Sequence, residues 1–349
     1  MRGEYKVRGG KLVAVEFDVA DGRIVQPRVA GDFFLEPDEA LGRIEAGLAG
    51  QLIGVSLGEL TAAIGDRLGP TDHLIGFTPR DVAFALRRGL GQATTWDDQR
   101  FELIVDGPRP PHLQMALDEV YARALSIGSR GPTFRIWDWQ SAAVVLGSFQ
   151  SYRNEVDEAA ARRYGVTVTR RISGGGAMFV EPGNTITYSL VVPRSLVDGM
   201  SFEESYEFLD SWVLVALAEL GIQARYVPIN DITSPAGKIA GAAQKRLSDG
   251  TVLHHVTMAY DIDATKMLEV LRIGREKMSD KGTQSAAKRV DPLRSQTRMP
   301  RDEIVQAFTT SFARQHNLVP STVSPQEEAA AQALTTSKFA TPEWIARIP

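Results

Sequence analysis

Three consecutive glycines, Gly174, Gly175 and Gly176, follow two arginines in the stretch Arg170 to Asn184, RRISGGGAMFVEPGN. Backbone without Cβ atoms approaches a ligand closely, and successive N–H groups of such a turn form a concave nest for phosphate or carboxylate. Arg171 adds a planar, permanently charged fork beside it. The same run also reads as a plain tight turn between two strands, which a short motif alone does not exclude. A second segment tips the balance: Asn230 to Asp261 contains NDITSPAGKIAGAAQKR and then LHHVTMAYD, with Lys238 between turn residues and an alternating stretch. One mobile cation beside an anion nest suggests phosphate chemistry, although Lys238 by itself reads first as a solvated lysine, as most lysines are. His254 and His255 are neighbours in an expected strand, so they point to opposite faces and do not share a metal ion; a hydrogen-bonded, structural His254 is the expectation.

Taken together, RRISGGGAMFVEPGNTITYS and the ordered blocks NDI, GKIAGAAQ and LHH resemble the signature blocks of the lipoate-protein ligase A family. That family lies within the wider class of biotin and lipoate protein ligases and octanoyltransferases. LGSFQSYRNEVD from Leu146, a helix around Met115 to Leu125 and SAAKRV, Ser285 to Val290, agree with it, so the resemblance runs over residues 101 to 349. It implies an α+β catalytic domain with a mixed, mainly antiparallel sheet, akin to class II synthetases and biotin ligases. It also implies an enzyme that uses ATP and Mg2+ to activate free lipoate or octanoate as acyl-AMP. The acyl group then passes to a lysine of a lipoyl carrier domain, on 2-oxoacid dehydrogenase E2 subunits or the glycine cleavage H protein. By the match, Lys238 is the catalytic cation. Arg171, Ser173, Gly174, Gly175, Gly176, Ala177, Asn184, Asn230, Asp231, Gly241, His255 and Thr257 bind substrate or nucleotide, with Asp231 on the magnesium side.

The chemistry asks for such a set. A carboxylate joins an amine only after it gains a good leaving group, so two anions must first meet among preorganised donors. Arg171, the glycine backbone and Lys238 are the expected donors. The chain departs from the family pattern where VFHD becomes MFVE, with Val180 and Glu181, and where the glycine after the paired histidines becomes Val256. Two other readings therefore stay open: a cysteine-independent octanoyltransferase, and a non-catalytic acyl-binding paralogue.

The composition bounds these readings. At 349 residues, with 43% hydrophobic and 23% charged residues and a net charge of -4, the chain is of ordinary globular type and has no basic excess for nucleic acid. It shows no apolar run long enough for a membrane span and no signal peptide, which makes the cytoplasm the expected compartment. The absence of cysteine excludes disulfides, cysteine zinc sites and a thioester on the enzyme.

Residues 1–92 read as a separate small α+β unit. Two alternating runs flank Asp21-Gly22, a hairpin signal; Ser56 with Glu59 forms a capping-box pair, and Thr78-Pro79 opens a helix. This segment resembles the accessory domain of lipoate-protein ligases, here placed first, with residues 93–100 as linker and 101–349 as the catalytic domain. In the latter, a helix over Phe202 to Leu220 is expected to turn Phe202, Tyr206, Leu209, Val213 and Leu217 inward.

Overall fold

The computed structural model describes residues 1–7, 9–272 and 290–349. The first five residues of SAAKRV lie outside this set. The chain forms two compact units, Met1–Asp98 with Ser195–Ser201, and Gln99–Arg194 with Phe202–Pro349. Among the described residues, no helix is long and apolar enough to cross a membrane.

In the first unit β1 (Arg2–Lys6), β2 (Leu12–Ala20) and β3 (Arg23–Gly31) make an antiparallel sheet, and β4 (Phe34–Glu36) pairs with β5 (His73–Ile75). Asp21 and Gly22 both take positive φ, the requirement of a two-residue turn matched to strand twist. Helices α1 (Ala40–Leu48), α2 (Leu57–Gly65) and α3 (Pro79–Gly89) close a core around Val13, Val15, Ile44, Leu60 and Leu86. The cap at Ser56 is the reciprocal box expected, and Thr78, expected to open its helix, forms a second such box with Asp81. Residues 93–98 belong to this unit, where Arg88 pairs with Asp98 at 2.9 Å, so part of the expected linker is ordered structure.

The second unit contains β6 (Phe101–Val105), α4 (Pro111–Ser126), β7 (Thr133–Trp137), β8 (Ala143–Leu146), α5 (Tyr152–Glu155), α6 (Glu158–Arg163), β9 (Thr167–Arg170), β10 (Met178–Val180), β11 (Thr185–Pro193) and α7 (Phe202–Glu219). It continues with β12 (Arg225–Val227), β13 (Asp231–Thr233), β14 (Lys238–Arg246), β15 (Thr251–Ala259), α8 (Ala264–Val270), α9 (Leu293–Thr297), α10 (Arg301–Gln315), β16 (Leu318–Pro320), α11 (Pro325–Leu334) and α12 (Pro342–Ile345). The main sheet runs β12-β13-β14-β15-β11-β7-β6-β16, antiparallel except for the last two pairings. Strands β10, β8 and β9 form a small second sheet. This is the expected mixed, mainly antiparallel α+β architecture.

Helices cover both faces of the main sheet, which is why β11 and β15 are buried along nearly their whole length. On one face α7 and α10 pack an aromatic layer in which Phe134 stacks on Phe312 at 4.4 Å and meets Trp212 edge-on at 5.1 Å. The other face carries α4 and is unusually polar. Phe202 departs from expectation: it is 54% exposed, beneath the Arg246 guanidinium 4.7 Å from its ring centre, because it opens α7 before the helix reaches the core. Between β8 and β9 the chain makes two short helices, α5 and α6, and the Asp157 carboxylate caps α6 by accepting from Ala160 N at 2.9 Å.

Candidate active site

Strand β9 ends at Arg170 and releases the chain into the glycine turn, and the turn is shaped from beneath by Arg171. Its guanidinium donates to the carbonyls of Gly174 (2.6 Å), Gly176 (2.8 Å) and Val145 (3.1 Å) and to Ser173 Oγ (3.1 Å). Arg171 was expected to face the anion; it is buried and committed to the loop instead. Burial away from any carboxylate pulls its guanidinium down to about 10, which still leaves it charged at neutral pH. By drawing carbonyls inward, it leaves the N–H groups of Gly174, Gly175 and Gly176 without an acceptor among the described residues. The loop is thus shaped by one guanidinium packed beneath it.

Gly147, which follows β8, presses on the same loop. A Cβ there would stand 2.0 Å from the Gly175 carbonyl oxygen, so only glycine fits, while Ser148 N holds the Ser173 carbonyl at 2.8 Å. Phe149 is 76% exposed and lies against Gly174, where an added Cβ would be 3.7 Å from its ring.

Behind the loop runs a chain of hydrogen bonds. Ser173 Oγ lies 2.6 Å from His255 Nε2, and His255 Nδ1 lies 2.9 Å from Asp118 Oδ2. The other carboxylate oxygen of Asp118 accepts from Ser189 Oγ at 3.0 Å and from Arg135 at 3.3 Å. Burial pushes the His255 imidazole below its ordinary value, and the bond to Asp118 opposes but does not reverse this. The neutral ring therefore donates from Nδ1 to Asp118 and accepts the Ser173 proton at Nε2.

The sheet register explains the rest. Directly paired residues share a face, so Ala243, His255, Ser189 and Arg135 form one row under the loop, and Asp231, Gly241, Thr257, Thr187 and Trp137 form the next. Lys238 is three residues from Gly241 and by strict alternation would face the α7 side. A bulge at Ile239 restores it: Thr233 pairs with Lys238 and Ile232 with Ala240, so the intervening residue is unpaired. The ammonium folds over Gly241, where a Cβ would come within 3.0 Å of Nζ, and it pairs with Asp231 at 2.7 Å. Loop and ammonium are thus one row apart, about 7 Å along β14 at about 3.4 Å per residue. Val290, the described end of SAAKRV, bridges to Lys238, and Asp291 N donates to the Lys238 carbonyl at 2.9 Å.

Thr257 Oγ1 is 3.1 Å from Thr187 Oγ1, to which Trp139 donates at 3.1 Å, a polar floor for the site. Ala177 continues the loop into β10. Asn230 is held against β14, its amide donating to the Ala242 carbonyl at 2.6 Å. Asn184 belongs to the turn before β11, bonded to Glu181 at 3.3 Å, and Glu181 in turn takes Lys266 at 2.7 Å. Among the two departures from the family pattern, Val180 is buried in the core beside Ile172 and Ala143. Val256 faces the α7 side, opposite His255. His254 is also on that side, 2.7 Å from Asp210, the structural role expected of it. Asp118 and Gly147 were not found by sequence reading. The only hint of Asp118 is a carboxylate set among the apolar residues of MALDEV.

Residues 110–313 match the family model described as the lipoyl protein ligase A/B catalytic domain. The octanoyltransferase LipM of Lysinibacillus sphaericus is 29% identical over 279 residues, covering 72% of this chain and 98% of that protein. Among solved structures, the bipartite lipoate protein ligase of Thermoplasma acidophilum, studied with its E2 lipoyl domain, is similar at a TM-score of 0.64 and 26% identity, covering 72% of this chain and 98% of that one. A lipoate-protein ligase A bound with ATP gives a TM-score of 0.62 at 25% identity, with 72% and 100% coverage. With more than half of its length matched by the family model, the chain belongs to the lipoyl protein ligase A/B catalytic domain family.

Proposed function

We propose that this chain is an ATP-dependent lipoate-protein ligase that activates lipoate or octanoate as acyl-AMP and transfers the acyl group to a lysine of a lipoyl carrier domain. The observation that carries this reading is the placement of the Lys238 ammonium, by a bulge, one row from glycine N–H groups that have no acceptor among the described residues. Phosphate and carboxylate are drawn together between these donors. Lys238, as the catalytic residue, holds the carbonyl oxygen as it turns negative. Ser173, Gly174, Gly175, Gly176, Ala177, Gly241, His255 and Thr257 line the substrate side in this scheme. Arg171 acts through the loop, and Asn230 and Asn184 act through the strand ends they brace. The single carboxylate of Asp231 suits Mg2+, which takes most of its ligands from phosphate and water. Residues 1–92 are assigned as the accessory domain and the cytoplasm as the compartment.

A second reading has one observation behind it: LipM relatives are octanoyltransferases. A cysteine-free chain offers no thiol for the usual route. The intact mass of an apo lipoyl domain, incubated with this protein, lipoic acid and magnesium, decides. A gain only with ATP supports the ligase; no gain with ATP, followed by a gain from octanoyl carrier protein alone, overturns it.

A further inference from the structure

Arg170 is fully buried, yet its guanidinium is bound to carbonyls and, among the described residues, to no carboxylate. Nη1 donates to Gly147 O at 2.7 Å and to Gln150 O at 2.8 Å, and Nε donates to Ile345 O at 2.8 Å. The turn 147–150 is the one on which the glycine loop is seated: Gly147 abuts the Gly175 carbonyl, and Ser148 N holds the Ser173 carbonyl. Consecutive arginines therefore have different tasks. Arg171 holds the loop itself, and Arg170 holds the turn that presses on it.

The other side of this grip is the C-terminal segment. Trp344 Nε1 donates to the Arg170 carbonyl at 2.9 Å, Tyr152 N donates to Ile348 O at 2.8 Å, and Ser151 Oγ donates to the Pro349 carbonyl. Residues 344–349 thus run along 147–152 and are fastened to it at several points. The Trp344 ring is itself fixed, edge-on to Phe339 at 5.8 Å and with the Lys338 ammonium 4.3 Å from its centre. We propose that Arg170 and Trp344 are positioning residues of the candidate active site: they fasten the C-terminal segment to the Gly147–Gln150 turn and so set where the glycine loop stands.

A buried guanidinium without a carboxylate carries a desolvation cost that its carbonyl bonds must offset. Removing it leaves three carbonyls, from two separate stretches of chain, without their donor. None of these stretches belongs to the aromatic layer under α7 and α10, so the fold survives while the turn loosens. Both residues act through Gly147 and Ser148. The assignment deepens the ligase reading and rests on it for the kinetic arm of the test alone.

The test pairs hydrogen exchange of the full chain, read by mass on peptides covering 147–152, with lipoate-dependent ATP–pyrophosphate exchange on the same samples. In Arg170→Met the amides of Gly147, Ser148, Gln150 and Tyr152, all bonded in the native chain, exchange about 10-fold faster or more, while those of α10 do not change. The kcat of pyrophosphate exchange falls by about 10²-fold, the loss that a misplacement of about 1 Å brings, and the KM for an apo lipoyl domain stays native. A merely structural residue would lower the melting midpoint and leave kcat per folded molecule unchanged. Arg170→Lys recovers part of the loss, since one ammonium serves the two turn carbonyls but not Ile345. Trp344→Phe keeps a ring, deletes the bond to the Arg170 carbonyl and guards against a methionine variant that does not fold; it shows the same local change, about 3- to 10-fold in each reading. Glu343→Ala, exposed on the same helix, leaves both readings native. Native exchange at 147–152 in Arg170→Met, or in Trp344→Phe where the former does not fold, overturns the proposal, and so does native kcat in a variant whose turn has loosened. A native chain without pyrophosphate exchange overturns the ligase reading, and hydrogen exchange then decides this assignment alone.

Discussion

Replacing Gly147 by alanine places a Cβ 2.0 Å from the carbonyl oxygen of Gly175 and 3.1 Å from its carbonyl carbon, both main-chain atoms. An ordinary C···O contact is about 3.3 Å, so the loop must retreat by about 1.3 Å. That movement pulls Gly174 and Gly176 from Arg171, whose two shortest bonds, 2.6 and 2.8 Å, are to their carbonyls. A hydrogen bond to a charged group contributes about 1.5–3 kcal/mol, so losing one of them costs about 2 kcal/mol of stability. A misplacement of about 1 Å in a catalytic group costs about 10²-fold in rate. Gly176→Ala is the companion variant: its Cβ meets nothing within 4 Å, so folding is untouched, and any loss of activity reports on ligand approach. ATP–pyrophosphate exchange with lipoate, with thermal unfolding on the same samples, separates the two. Native activity in Gly147→Ala would refute the claim that loop position makes the site; a Gly176→Ala protein that melts early would refute the open space around that residue.

Lys238→Ala is expected to lower lipoylation by about 10²- to 10³-fold, whereas Lys245→Ala stays near native turnover; equal behaviour of the two in a steady-state assay would remove Lys238 from the centre. Asp231→Asn releases the ammonium from its 2.7 Å partner and should raise the magnesium concentration needed for half-maximal activity, read from a metal titration. Burial holds His255 and His112 below the ordinary value of 6.5, so the unfolded chain binds more protons than the folded one as pH falls below 6.5. Stability is therefore full above that pH and declines as pH falls toward the folded values. Melting curves from pH 7.5 to 5.5 should show the decline, and the double variant His112→Gln, His255→Gln should flatten it.

The glycine run and Lys238 are legible in sequence because both are local: a run of residues lacking Cβ, and a cation at the start of an alternating stretch. The same holds for the capping box at Ser56, the helix start at Thr78-Pro79 and the Asp21-Gly22 hairpin. What sequence reading misses depends on contacts made across the fold. Asp118 joins the site because α4 lies over β11 and β15, and nothing in MALDEV announces that its carboxylate meets a histidine 137 residues away. Gly147 matters through a neighbour met only after β8 and β9 are paired. Arg171 reads as a ligand-facing cation because charge suggests solvent; its partners at Gly174 and Gly176, close in sequence, are assembled only when the loop closes around it, and Val145 only when β8 lies beside it.

The unpaired residue at Ile239 makes the position of Lys238 a matter of counting. Regular pairing of the same residues, without the bulge, would restore strict alternation and send the ammonium through the sheet to the aromatic layer of α7 and α10, with every side chain of the site still present. Register, not identity, is what this segment transmits. Two chains with the same residues here, one bulged and one regular, would carry the same lysine on opposite sides of the sheet, and an inventory of site residues would score them as equal.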